Sequence, residues 1–159
     1  FTGYLSVLLI GPLLVFSSLG MTAAMTASPF MRTLVSIQPF GWLVALEGER
    51  NVPFPIKRAY YIFGTRPGVR RGKHAHRQLT QMMVCIAGRC TVLLDDGKAS
   101  VEVELARNDR GLMLDRMIWH EMYDFSPDCV LLVLANDLYK LDDYIRDYTE
   151  FKKLAEART

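Results

Sequence analysis

Apolar and polar positions along the chain change their period once, near residue 140. From residue 31 to residue 135 the apolar residues come in short runs cut by Gly, Pro and Asp, the signature of successive short strands. The stretch MRTLVSIQPFGWLVALEG reads as strand–turn–strand, split at Pro39 and Gly41. After a Pro-containing loop at Asn51–Pro55, residues 56–63 (IKRAYYIF) carry the β-branched and aromatic content of a strand. GTRPGVRRGK reads as a loop, followed by HAHRQL, QMMVCIAG and RCTVLLDDGKASVEVEL. In the last of these Asp96-Gly97 predicts a two-residue hairpin turn, because Gly tolerates the positive φ such turns need. Two further strands are expected at 111–118 and 128–135.

Beyond residue 140 the spacing becomes helical. Leu141, Tyr144, Ile145, Tyr148, Phe151 and Leu154 fall on one face, with Asp142 and Asp143 placed to favour a helix N-terminus. The expectation is an all-β sandwich or barrel closed by one amphipathic C-terminal helix. With 159 residues there is room for one domain with a sizeable core.

The first 30 residues do not fit this pattern. Their apolar run has the length of a signal-peptide core, yet no Lys or Arg precedes it and Pro12 interrupts it. It also falls short of a membrane span. We read 1–30 as a leader or artefactual extension outside the fold and 31–159 as one domain. The small residues that follow the run (SSLGMTAAMTA) favour the competing reading of a secretory signal.

Composition then narrows the function. Half the residues are apolar, under a quarter are charged, and the net charge is +2, which argues against nucleic acid as a partner. Cys85, Cys90 and Cys129 sit in apolar runs without a CxxC pair. They read as buried, reduced thiols of a cytoplasmic protein.

Two of the three histidines form His74-Ala75-His76. On a strand, residues two apart share a face, so both imidazoles project side by side. Such a pair suits acid–base chemistry near neutral pH, but also half a metal site or a solvent-facing strand. Its surroundings add weight to a site. Arg66, Arg70, Arg71 and Lys73, interleaved with Gly68 and Gly72, form a basic loop able to approach a diphosphate, although a merely solvated loop has the same composition. Tyr60 and Tyr61 face opposite ways, so one of the two can line a cavity. Trp119-His120-Glu121 offers a third imidazole and an aromatic able to shape a sugar pocket; His120 taken alone fits a structural role equally well. The five positions after His76 contain no acidic residue, which argues against a divalent metal site.

The segments KRAYYIFGTRPGVRRGKHAHRQLTQMMVCIAGRCTVLLDDG and GLMLDRMIWHEMYDFSPDCVLLVLANDLYKLDDYIRDYTEF resemble the sugar 3,4-ketoisomerases that act on dTDP-4-keto-6-deoxyglucose. Their most specific elements are RGKHAH, WHEMYDFS and DDYIRDY, and the likeness spans about residues 41 to 152. The resemblance implies a cupin (jelly-roll) barrel, a homodimer, and neither metal nor cofactor. It implies a dTDP-linked keto-sugar whose ketone moves from C4 to C3, feeding amination at C3 in deoxysugar and glycan biosynthesis. It places His74 and His76 on the family's active-site histidines, Arg71 on an arginine near the substrate and Tyr60 on a tyrosine of the pocket. Lys73, His120 and Trp119 complete the expected substrate contacts. His120 falls where members carry His or Arg, a position linked to stereochemistry at C4, and inclines the expectation to the galacto product. Phe40, in Gln38-Pro39-Phe40-Gly41, replaces a polar residue and bears on fine specificity. A dTDP-sugar 3,5-epimerase and a non-catalytic nucleotide-sugar-binding cupin are the competing readings.

Overall fold

The computed structural model describes residues 31–33, 35–37 and 43–157. The expected leader at 1–30 and the Gln38–Gly41 segment lie outside the described residues. Twelve strands and one α-helix follow in chain order: β1 (Met31–Thr33), β2 (Val35–Ile37), β3 (Leu43–Ala45), β4 (Arg58–Phe63), β5 (Arg71–His76), β6 (Gln81–Ala87), β7 (Cys90–Asp95), β8 (Ser100–Leu105), β9 (Arg110–Leu114), β10 (Trp119–Tyr123), β11 (Val130–Ala135), β12 (Tyr144–Ile145) and α1 (Tyr148–Glu156). They form two five-stranded antiparallel sheets, ordered β1-β9-β6-β11-β4 and β12-β5-β10-β7-β8, with β2 and β3 as a separate ribbon. This is the jelly-roll arrangement expected of the sequence.

Alternation of side chains explains how the sheets pack. Met83 and Cys85 of β6, Val92 and Leu94 of β7, Leu112 and Leu114 of β9, and Leu131 and Val133 of β11 fill the space between the sheets. Met82 and Val84 point the other way and are covered by Val52 and Phe54 of the Pro-containing loop. β6 is thus buried on both faces, which is why it reads as one apolar run. A third cluster lies outside the second sheet, where α1 lays Phe151 over Ala75, Met117, Trp119 and Ile145.

Two local expectations need correction. The hairpin between β7 and β8 closes over four residues, since Asp95 pairs with Ser100. The Asp95 carboxylate accepts the Gly97 N–H, and the Asp96 carboxylate accepts those of Lys98 and Ala99, which holds the longer turn. The helix also begins later than its periodicity suggests. Leu141–Asp143 make a single 3₁₀ turn and Tyr144–Ile145 join β5 as an edge strand, Tyr144 opposite His76. Asp147 caps the true helix by accepting the Glu150 N–H at 2.8 Å. Pairing along β5 outcompeted one extra helical turn.

Among the described residues no helix is long and apolar enough to cross a membrane. The three cysteines are buried and free. Phe151 is wholly buried against the back of β5 and β12. Phe151→Ala should therefore cost roughly 3–5 kcal/mol, read as a lower urea midpoint with an unchanged slope.

Candidate active site

Antiparallel pairing assembles the imidazoles. His120 of β10 sits opposite His74 of β5, and His76 lies two residues further along β5. The ring centroids of His74 are 4.8 Å from His76 and 4.4 Å from His120. Tyr144 closes the cluster, 4.8 Å from His74 and 4.4 Å from His76.

A bulge at Gly72-Lys73 controls which neighbours join them. The pairing of β5 with β10 slips there, so that Gly72 faces Glu121 while Lys73 has no opposite number. Both residues take positive φ, +82° and +56°. A Cβ on Gly72 would stand 2.7 Å from the His120 carbonyl oxygen, so the strands approach this closely only with glycine. The extra residue puts Arg71 and His74 on one face, although three positions apart they would otherwise oppose each other. Both line an open cleft of about 430 Å³, together with Arg58, Tyr60, Met122, Tyr139 and Tyr144.

Not every expected residue reaches this cleft. Tyr60 does, while Tyr61 is exposed on the other face of β4. Lys73 sits exposed on the bulge and is absent from the lining. Trp119 is next to His120 on the strand and therefore points the opposite way. It packs under α1 against Tyr148 and Phe151, with centroids 5.0 and 5.7 Å apart, and cannot shape a sugar pocket here. Arg70 is also occupied, with Nη1 2.9 Å from the Glu121 carboxylate and its guanidinium stacked 3.7 Å from the Tyr123 ring.

Hydrogen bonding differentiates the three histidines. His76 Nδ1 lies 2.9 Å from Asp143 Oδ2, and a carboxylate can only accept, so this nitrogen carries a proton. Its Nε2 then turns a lone pair toward His74 Nε2, 3.2 Å away. His120 Nδ1 faces the Ile118 carbonyl at 3.4 Å. Of the three rings only His74 is among the groups lining the cleft; His76 and His120 are 3% and 2% exposed behind it. Burial holds His74 below its ordinary value of 6.5 and drives His120 well below it. Burial, reinforced by His74, takes His76 down to about 4, although Asp143 pulls upward. In all three, burial is the leading cause and favours the neutral ring.

The sequence reading missed Asp143, Arg58 and Gln81. Asp143 also accepts the Gln78 and Leu79 N–H groups, at 2.8 and 3.3 Å, which fixes the chain after His76. Its visible signal is an Asp-Asp pair before an aromatic residue, which is equally a helix start. Arg58 puts its guanidinium 5.2 Å from the centre of the Tyr60 ring. Gln81 is buried and donates to the Tyr60 hydroxyl at 3.1 Å, leaving that O–H free to donate into the cleft. Burial raises Tyr60 above its ordinary value, so the phenol stays protonated.

With this geometry in place, comparison with known proteins is direct. The family described as FdtA, WxcM-like C-terminal, matches residues 30–156. The chain belongs to the sugar 3,4-ketoisomerase family. It is 52% identical over 113 residues, 71% of its length and 81% of the relative's, to the TDP-4-oxo-6-deoxy-α-D-glucose 3,4-oxoisomerase of Aneurinibacillus thermoaerophilus. The sugar 3,4-ketoisomerase QdtA of Thermoanaerobacterium thermosaccharolyticum, solved with TDP, superposes with a TM-score of 0.79 at 36% identity, over 80% of this chain and 94% of that one. The TDP-quinovose 3,4-ketoisomerase WlaRB of Campylobacter jejuni superposes with a TM-score of 0.74 at 44% identity, over 77% and 95%. Like these ketoisomerases, the chain is an antiparallel β-fold with one C-terminal helix.

The depressed histidines make a pH prediction. A His whose folded value lies below its unfolded value of about 6.5 binds protons more readily when unfolded, so its stabilising effect is complete above 6.5 and is lost as pH falls. For His76 the window runs from about 6.5 down to about 4. The chain has only three histidines, all in this cluster. Unfolding free energy should fall between pH 7 and pH 5.5, with proton uptake on unfolding, measured by urea titration at each pH. A flat profile would show that the rings are not held neutral.

Proposed function

We propose that the protein moves the ketone of a dTDP-4-keto-6-deoxyhexose from C4 to C3, by proton transfer through an enediolate and without a metal. The observation that carries this is His74 alone among the imidazoles at the wall of an open cleft, backed by the His76–Asp143 pair. A C3 proton beside a C4 carbonyl is acidified because the resulting carbanion delocalises onto the carbonyl oxygen. His74, neutral and partly exposed, is the base that takes it. His76 accepts across the 3.2 Å contact and Asp143 balances the imidazolium that forms. The direct partner for the C4 oxygen is the Tyr60 hydroxyl, because Tyr60 lines the cleft and the buried His76 does not.

Delivery of a proton to C4, with the C3 hydroxyl giving up its proton and the C4 oxygen taking one, completes the transfer and leaves a ketone at C3 and a hydroxyl at C4. The class of reaction that consumes it is amination at that carbonyl, on the way to an amino-deoxysugar of a surface glycan. The face of delivery at C4 sets the product, and the inclination to the galacto outcome rests on the resemblance, which puts a histidine at position 120 where family members carry His or Arg. Arg71 and Arg58, the two arginines lining the cleft, are the diphosphate partners. They turn binding energy remote from the reacting carbons into orientation of the ring.

The imidazole nitrogens of His74, His76 and His120 lie within 4.8 Å of one another, near enough to ligate one cation, so chelation is part of the test. Incubation with dTDP-4-keto-6-deoxyglucose and EDTA, followed by NMR of the product, should show a 3-keto sugar. Epimerisation at C3 and C5, binding without turnover, or activity lost to EDTA would each overturn the reading. His74→Asn should reduce turnover by about 10²–10⁴-fold with dTDP affinity retained.

A homodimer in the cytoplasm completes the proposal. Among the described residues β4 is an outermost strand, and its Tyr61 and Phe63 are 63% and 64% exposed, with ring centroids 5.6 Å apart. Aromatic side chains on a sheet edge suit pairing with a second copy. The reduced, buried thiols agree with a reducing compartment. Sedimentation should give twice the chain mass, and the double variant Tyr61→Lys, Phe63→Lys should sediment as a monomer.

A further inference from the structure

Three thiols meet at the end of β6 remote from the imidazoles. Cys85 lies four residues along β6 from Gln81, Cys90 opens β7 and Cys129 immediately precedes β11. No catalytic step uses them. Cys85 and Cys129 bring their sulfurs to 3.8 Å, and all three Sγ atoms lie within 4.8 Å of one another.

Such a triangle has the dimensions of a coordination site. An ion held in the plane of three sulfurs at about 2.3 Å, the length of a zinc–thiolate bond, needs sulfurs about 4.0 Å apart. The Cys85–Cys129 spacing of 3.8 Å is close to that figure, and no spacing in the triangle exceeds 4.8 Å. A disulfide would need about 2.05 Å between two sulfurs and would leave the third without a role. Three small apolar core residues would fill the same space, but they would not need to bring three sulfurs to one point.

The cluster also has an approach. Cys85 lines a cavity of about 460 Å³ beside Gly88 and the 106–109 loop. Arg107, which also lines the cavity, is neutralised by Asp109 through two bonds of 2.8 and 2.6 Å. Asp128, next to Cys129 in the chain, adds negative charge near the thiols.

We propose that Cys85, Cys90 and Cys129 form a three-thiolate site for a soft, thiophilic cation, separate from the isomerase cleft. Thiolate ligands select such ions, and harder oxygen-seeking cations do not compete. Each ligating thiol releases its proton to solvent, including the one Cys85 donates to the Ala87 carbonyl at 3.1 Å, so one ion replaces three protons.

Cadmium alone is the probe. Full-length, reduced, metal-free protein titrated with Cd²⁺ should bind one equivalent with an ultraviolet thiolate-to-metal band and release protons. Ions taken up by the imidazoles give no thiolate band, so the two sites are told apart. Cys85→Ala, Cys90→Ala and Cys129→Ala should each weaken the band's midpoint at least tenfold, with circular dichroism unchanged. The band and the proton release of the wild-type protein are readouts that require no variant to fold. Absence of a band at one equivalent overturns the site, as does a band that survives all three substitutions. A Cys85–Cys129 disulfide formed in place of binding does so too.

Discussion

The contact on which the site depends is the one between His76 and Asp143. A single carboxylate accepts from the imidazole and from two backbone N–H groups of the following segment. It fixes the His76 ring, orients its lone pair toward His74 and ties the C-terminal arm to the edge of β5. Hydrogen bonds to an ionised acceptor are about twice as strong as neutral ones. Tyr144 and Ile145 can then add as β12, opposite His76 and Ala75. That added strand brings Tyr144 against both rings and delivers α1 to the outer face, where Phe151 seals it. Active-site geometry and the packing of the C-terminal helix are consequences of one anchoring interaction.

Burial supplies the complementary constraint. Clustering three imidazoles inside a barrel disfavours charge on each, both by desolvation and by mutual repulsion. The cluster is therefore a reservoir of neutral bases with one exposed member. Asp143 opposes the trend at His76 alone, although burial and the neighbouring His74 outweigh it.

Much of this was legible in the chain. His74 and His76 share a face because strand side chains alternate, and the same rule placed Tyr60 and Tyr61 on opposite sides. Applied to Trp119-His120 it also separates those two, and the structure buries Trp119 beneath the helix. The bulge at Gly72-Lys73 was not legible, because only the pairing with β10 shows that Lys73 is the extra residue. Asp143 was hidden for a related reason. Helical periodicity at 141–154 is a local signal, whereas the edge of β5 that captures Tyr144 is formed by residues some seventy positions earlier. Local propensity yields to tertiary pairing when backbone groups of a sheet edge are waiting for partners.

The basic loop shows how such pairing redistributes chemistry among similar residues. Arg70 and Arg71 are adjacent and interchangeable in composition. Arg70 falls on the outer face, where Glu121 and Tyr123 occupy it, while Arg71 reaches the cleft because the bulge restores its phase with His74. Its second companion there, Arg58, comes from the other sheet and lies against Tyr60. The two arginines therefore reach one cleft from different sheets, one beside His74 and the other beside Tyr60. One inserted residue in β5 thus decides which arginine enters the cleft and which packs on the outer face.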